Sequence, residues 1–308
     1  MGGARSGSGG GIGPGRHDRQ SIVSGGMSRT QRLPSSVPGW IFFAVATLLF
    51  ALMGYALSSY ALSREVGADV AAYWEAAERI RAGEPLYVAG AANASDLYRY
   101  APWFAYAWVP ITFLPREAVT MAWVGLMILA AILSTAPLVR HGLSGIAAFS
   151  LFAPIQLEAA VFGNVQPLLV LTLMWGVERR SGPLWIALGA SLKAVPLLLA
   201  MVYAGRGEWR RAGLAVLLAG VLAAPTLLFD LSDYSTQPGP GQISLTAVAG
   251  PLYLAVAITL VGLTFAAARR RSRFAWLAGA GAMMAALPRL LPYEIGFLLV
   301  GLSEPRRD

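Results

Sequence analysis

The chain has 308 residues, of which 56% are hydrophobic and 13% charged, with a mean hydropathy of +0.58. A soluble protein of this size carries about twice that charged fraction, so the composition excludes an ordinary soluble domain. Cysteine is absent, which removes disulfide frameworks and thiolate chemistry, and the net charge of +8 comes from arginines at segment ends, a sign of membrane orientation rather than nucleic-acid binding.

Residues 1–37 are rich in Gly, Ser and Arg and lack an apolar pattern, which predicts a disordered tail. Arg16, Arg19, Arg29 and Arg32 place that tail in the cytoplasm. The apolar run from Trp40 to Leu62 comes late and is too long for the core of a signal peptide, so it reads as a first span. A polar excursion follows on the far side of the membrane, from Ser63 to Tyr100. Its first half carries Val70, Tyr73, Trp74, Ala77 and Ile80 at helical spacing, with Glu75, Glu78, Arg79 and Arg81 opposite. This predicts an amphipathic helix at the interface, closed by Gly83 and Pro85.

Further apolar segments run over about 100–114, 118–139, 143–161, 167–177, 184–203, 209–229, 245–268, 274–287 and 291–302. The expected fold is all-α and polytopic, a single membrane domain over residues 38–303 with about 8–11 membrane segments and a short basic tail at 304–308. Arg179 and Arg180, Arg206, Arg210 and Arg211, Arg269–Arg271 with Arg273, and Arg306 and Arg307 belong on the cytoplasmic side. Taken literally, this puts both ends of segment 184–203 on one side, so that it becomes two half-helices broken near Lys193 and Pro196. Strict alternation of full spans also fits the hydropathy but leaves Arg179 and Arg180 outside. The arginines favour the hairpin, and the same logic puts Asn164 and Gln166 in an extracytoplasmic turn.

Lys193 is the only lysine, and it sits within an apolar stretch. A cation at membrane depth costs at least about 2.5–3.5 kcal/mol, so it needs a partner or water. It is either an internally paired structural lysine or a cation kept to hold an anionic group. Glu158, Asn164, Gln166 and Glu294 are likewise embedded in apolar sequence and point to a polar internal cavity, although each alone would serve as interhelical glue. Asp69 opens the interfacial helix, where position alone favours an N-cap; the functional alternative is a general base at the water–lipid boundary. No phosphate-cradling GxxxxGK[ST] loop or Asp-x-Asp pair is present, and His17 and His141 have no second ligand at metal spacing. No metal or cofactor is expected.

The order of these pieces resembles the polyprenol-phosphate-mannose-dependent α-mannosyltransferases, membrane glycosyltransferases of the GT-C class. The matching residues begin with Asp69, Tyr73, Trp74, Ala76 and Ala77, followed by Ala82–Tyr87. Tyr100 and Pro102 then open an apolar segment ending in Leu114 and Pro115. A turn of Gly163, Asn164, Gln166 and Leu168 follows, then Leu192, Lys193 and Pro196, then Arg206, Trp209 and Arg210. Gln242, Ser244 and Leu245, and finally Pro288, Pro292, Tyr293 and Glu294, complete the series. The turn reads GNVQ where GQxN is more usual, and Glu294 stands where Asp or His is expected.

The resemblance implies transfer of a hexose, mannose in that family, from a polyprenyl-phosphate sugar to a hydroxyl on a lipid or glycan acceptor, at the extracytoplasmic face and with inversion. It implies Asp69 as the base, Lys193 as the group for the donor phosphate with Arg289 and Arg99 as alternatives, and Tyr73, Asn164, Gln166 and Glu294 as sugar or acceptor contacts. The donor's lipid tail dissolves in the bilayer, so no nucleotide pocket is needed. The alternative is a non-catalytic carrier of lipid-linked sugar or an assembly subunit, using the same polar groups for binding alone.

Overall fold

The computed structural model describes residues 66–90, 97–234, 250–288 and 290–302, with isolated helical positions between Trp40 and Ser59. The tail, most of the first apolar run, Gln242, Ser244 and Arg289 lie outside the described residues. Helix α1 (Ala68–Ala82) forms where the pattern predicts, and Gly83 ends it in a left-handed conformation that returns backbone N–H groups to Arg79 and Ile80. Val70, Ala72, Tyr73, Trp74, Ala76 and Ala77 are buried, while Glu78 and Arg81 stay exposed. The Tyr100–Leu114 stretch gives only a short helix α2 (Pro102–Trp108), with Pro102 at its first turn, and a 3-10 turn over Val109–Phe113.

Two 20-residue helices follow, α3 (Arg116–Thr135) and α4 (Gly142–Val161), joined by a 3-10 link and packed on one another. At about 1.5 Å per residue each measures about 30 Å, the thickness of a bilayer core. Three helical stretches are long and apolar enough to cross a membrane, Arg116–Val161, Trp209–Leu228 and Gly250–Arg269. Their outer faces leave Leu126, Leu129, Ile132, Leu217, Val221, Leu254 and Ile258 exposed, as lipid contact requires.

The other apolar segments are shorter. Helix α5 (Gln166–Gly176) and helix α6 (Gly182–Leu192) have 11 residues each, and α6 breaks at Lys193, whose backbone is extended. A 3-10 turn over Val195–Leu199 and a short α7 (Ala200–Gly205) then double back along α6. Gly182 lies against the Tyr203 hydroxyl and Gly189 against Pro196, so the two ends of this segment share one side and Lys193 stands at its tip. The segment therefore folds as two pieces broken at Lys193 rather than as one continuous helix. After α8 (Trp209–Ala223) and α9 (Gly250–Arg269), helix α10 (Ala275–Ala285) makes a second such pair with a 3-10 turn over Pro292–Leu298 and α11 (Leu299–Leu302). Gly301 closes against Leu277, which places Glu294 near the tip of this second hairpin.

The arginine-rich loops gather at the other end. Arg206 Nη1 forms a salt bridge to Glu178, 2.9 Å from each carboxylate oxygen, and the Trp276 indole donates to the same carboxylate at 2.6 Å. Arg211 pairs with Glu208 at 2.8 Å, donates to the Val177 and Arg179 carbonyls, and lies over the Tyr203 ring. The Tyr203 hydroxyl also donates to the Val177 carbonyl. Chain reversals near Arg179, Arg206 and Arg269 therefore close on one another about 16 Å, the length of an 11-residue helix, from the Lys193 tip.

Candidate functional site

Helix α1 is fixed by backbone before any side chain is considered. The N–H groups of Gly67 and Asp69 donate to the carbonyls of Val161 and Phe162, both at 2.9 Å, so the start of α1 docks on the end of α4. Gly67 and Gly163 both have positive φ, and a Cβ on either would collide with Thr120 or Val70 respectively. Trp123 donates its indole N–H to the Gly163 carbonyl at 2.8 Å. Gly67 holds the N-cap position of α1, and Asp69 is the second residue of the helix. Its carboxylate faces the turn between α4 and α5.

There the Asn164 side chain does two jobs. Its Oδ1 accepts the Gln166 backbone N–H at 2.9 Å, which shapes the entry into α5. Its Nδ2 donates to Asp69 Oδ2 at 2.5 Å and lies 3.3 Å from the Tyr293 hydroxyl. The Tyr293 ring in turn carries Lys193 Nζ 5.1 Å from its centre. Lys193 Nζ stands 3.3 Å from Glu294 Oε1, and Glu294 Oε2 accepts the Leu291 backbone N–H at 3.1 Å. A continuous polar chain thus runs from Asp69 through Asn164 and Tyr293 to Lys193 and Glu294. It joins the start of α1, the α4–α5 turn and the tips of the two hairpins.

Both carboxyl oxygens of Glu294 are occupied, so it positions Lys193 rather than presenting a bare carboxylate. The lysine keeps two of its three donor directions beyond this pair. Tyr73 is fully buried among the rings of Tyr100, Phe104, Trp108 and Trp123, with its hydroxyl 3.3 Å from that of Tyr100. Burial, then the neighbouring Tyr100 and the charge of Asp69, push the Tyr73 hydroxyl up, so it stays protonated. Burial and the charge of Asp69 push Tyr100 up as well, with Glu294 adding and Tyr73 and Arg99 opposing. Arg99 precedes Tyr100 in the chain, and its carbonyl accepts the Tyr234 hydroxyl at 3.2 Å. Arg289 lies outside the described residues.

Gln166 and Glu158 are buried, and both amide atoms of Gln166 and Oε2 of Glu158 lack hydrogen-bond partners among the described residues. Gln156, which sequence reasoning passed over, shares this state and lies against Gly296, where only a glycine leaves it room. Its signal was available: a glutamine inside QLEAAVFGNVQ is as costly in lipid as Glu158. Among the described residues no group of three or more His, Cys, Asp or Glu side chains gathers as a metal centre requires.

The arrangement offers a carboxylate at one end, a lysine held by a carboxylate and an aromatic ring at the other, and neutral amides and tyrosines between. No curated protein and no solved structure matches the chain. The sequence model of Glycosyltransferase family 87 matches residues 98–236, a stretch that holds Arg99, Asn164, Gln166 and Lys193 and precedes Glu294. Similarity to that family, on an all-α bundle with membrane-length helices, indicates a membrane glycosyltransferase.

Proposed function

We propose that the chain transfers a hexose, mannose by resemblance, from a polyprenyl monophosphate carrier to a hydroxyl of a lipid or glycan acceptor at the extracytoplasmic face of the membrane. The observation that carries this reading is the polar chain from Asp69 to Lys193, assembled from four segments distant in sequence. Asp69 takes the acceptor proton while the acceptor oxygen bonds the sugar's anomeric carbon from the face away from phosphate. The carbon–oxygen bond to phosphate breaks in the same step, which inverts the anomeric centre. Polyprenyl phosphate leaves with the bonding electrons, and Lys193 stabilises the charge that grows on it, assisted by Arg99 and Arg289.

Asn164 holds one Asp69 oxygen, and the Tyr293 hydroxyl beside it presents a polar edge to the sugar. Gln166 acts in the same role, Glu294 positions Lys193, and Tyr73 acts through Tyr100. The membrane domain spans residues 38–303, with the N-terminus in the cytoplasm and the site on the outer face. Vesicles containing the full chain, supplied with radiolabelled polyprenyl-phosphate-mannose and a membrane extract as acceptor source, test the reaction. Labelled product together with an equal amount of free polyprenyl phosphate is expected. Donor that crosses the bilayer intact, with no free polyprenyl phosphate, would instead identify a carrier.

A further inference from the structure

Toward the arginine-rich end, an apolar groove of about 220 Å³ opens between α3, α5 and α6. Leu133, Leu171, Trp175 and Trp185 form its walls, and Arg179 stands at one end. The groove is built by a close approach: Trp185 lies on Gly176, where a Cβ would collide with its indole. The Trp185 indole N–H donates to Ser181 Oγ at 3.1 Å, which fixes the ring's tilt. Trp175 and Leu133 are about half exposed, at 52% and 42%, so the groove faces the surroundings of the bundle rather than its interior.

Among the described residues, the charge at its end is uncompensated. The two carboxylates of this region are committed elsewhere, Glu178 to Arg206 and Trp276, and Glu208 to Arg211. Arg179 uses its carbonyl to accept from Arg211, but its guanidinium is exposed and meets no acceptor among the described residues. Arg180 follows it, also exposed. An apolar trough ending in a bare guanidinium at the membrane boundary complements a molecule with an alkyl chain and an anionic head.

We infer that this groove binds an anionic phospholipid of the bilayer, one acyl chain against Trp175, Trp185 and Leu133 and its phosphate on Arg179. The site is separate from the proposed transfer chemistry and does not depend on it. Vesicles of phosphatidylcholine containing the full chain, with brominated phosphatidylglycerol or brominated phosphatidylcholine, provide the test, because bromine quenches tryptophan only on contact. Excess quenching by the anionic lipid is expected. It should saturate at low mole fraction, be competed by unlabelled phosphatidylglycerol, and weaken about fivefold in affinity in Arg179→Gln. It should vanish in Trp175→Phe/Trp185→Phe. Arg179→Gln alters only an exposed side chain, and its melting temperature serves as the folding control. Equal quenching by the two lipids would overturn the inference, as would an excess that survives Arg179→Gln. Competition by polyprenyl monophosphate but not by phosphatidylglycerol would also overturn it, by assigning the groove to a carrier lipid.

Discussion

A carboxylate that accepts a proton must be oriented without losing its charge, and the Asn164 amide does this for Asp69 at 2.5 Å. Asp69→Asn keeps the shape and removes the charge. The expected result is a loss of transfer of about 100-fold or more with little change in melting temperature. Lys193 demands a different test, because its 3.3 Å pair with Glu294 is also what a purely structural lysine would make. Removing one partner of a largely buried pair costs about 3–5 kcal/mol, whereas replacing both with apolar residues is often neutral. Lys193→Met should therefore melt early, and Lys193→Met/Glu294→Met should regain stability without regaining transfer. Recovery of both in the double variant would reduce the lysine to a structural role. Neither residue's partner was legible in the sequence: 101 positions separate Lys193 from Glu294 and 95 separate Asp69 from Asn164, and no local pattern reports contacts of that range.

At the scale of elements, local chemistry carried further. The apolar periodicity and Gly83 gave α1 nearly to the residue, and Pro196 after Lys193 marked the break in the α6 segment. The N-cap reading of Asp69 lost because Gly67, with positive φ, takes that position and lets α1 dock on the end of α4. The docking hangs on two left-handed glycines. Gly163→Ala should cost about 1–3 kcal/mol through strain and its collision with Val70. It should also lower transfer by displacing Asp69, as thermal melting and the mannose assay would report. Unchanged melting would show that the turn relaxes. The aromatic layer beside α1 has its own signature. Burial, with Tyr234 adding, pushes the Tyr87 hydroxyl up to about 12, from an ordinary value of 10.0. The unfolded chain releases this proton near pH 10 while the folded chain keeps it. The corresponding stability is whole below pH 10 and is lost as pH rises toward 12. Melting followed from pH 9 to 12 should fall over this window, and less steeply in Tyr87→Phe.

For the whole molecule, the polar pieces separate into two ends: a site of carboxylate, amide, tyrosine and lysine, and a locked cluster of Glu178, Arg206, Arg211 and Trp276. Composition predicted the helical class and arginine spacing predicted that these loops share a side, but hydropathy alone could not distinguish full spans from 11-residue halves. In the proposed orientation the arginine end faces the cytoplasm. The chain lacks cysteine, so a single introduced thiol is a unique reporter. Glu84→Cys should react with a membrane-impermeant maleimide on intact cells and Arg180→Cys only after permeabilisation; reaction of both from one side would break the two-ended layout.

The most direct measurement compares wild type with Asp69→Asn in vesicles supplied with radiolabelled polyprenyl-phosphate-mannose and acceptor extract. Labelled product and free polyprenyl phosphate from wild type, with neither from the variant, is the predicted result. Equal product from both would remove Asp69 from the chemistry, and donor bound but never cleaved by either would contradict a transferase.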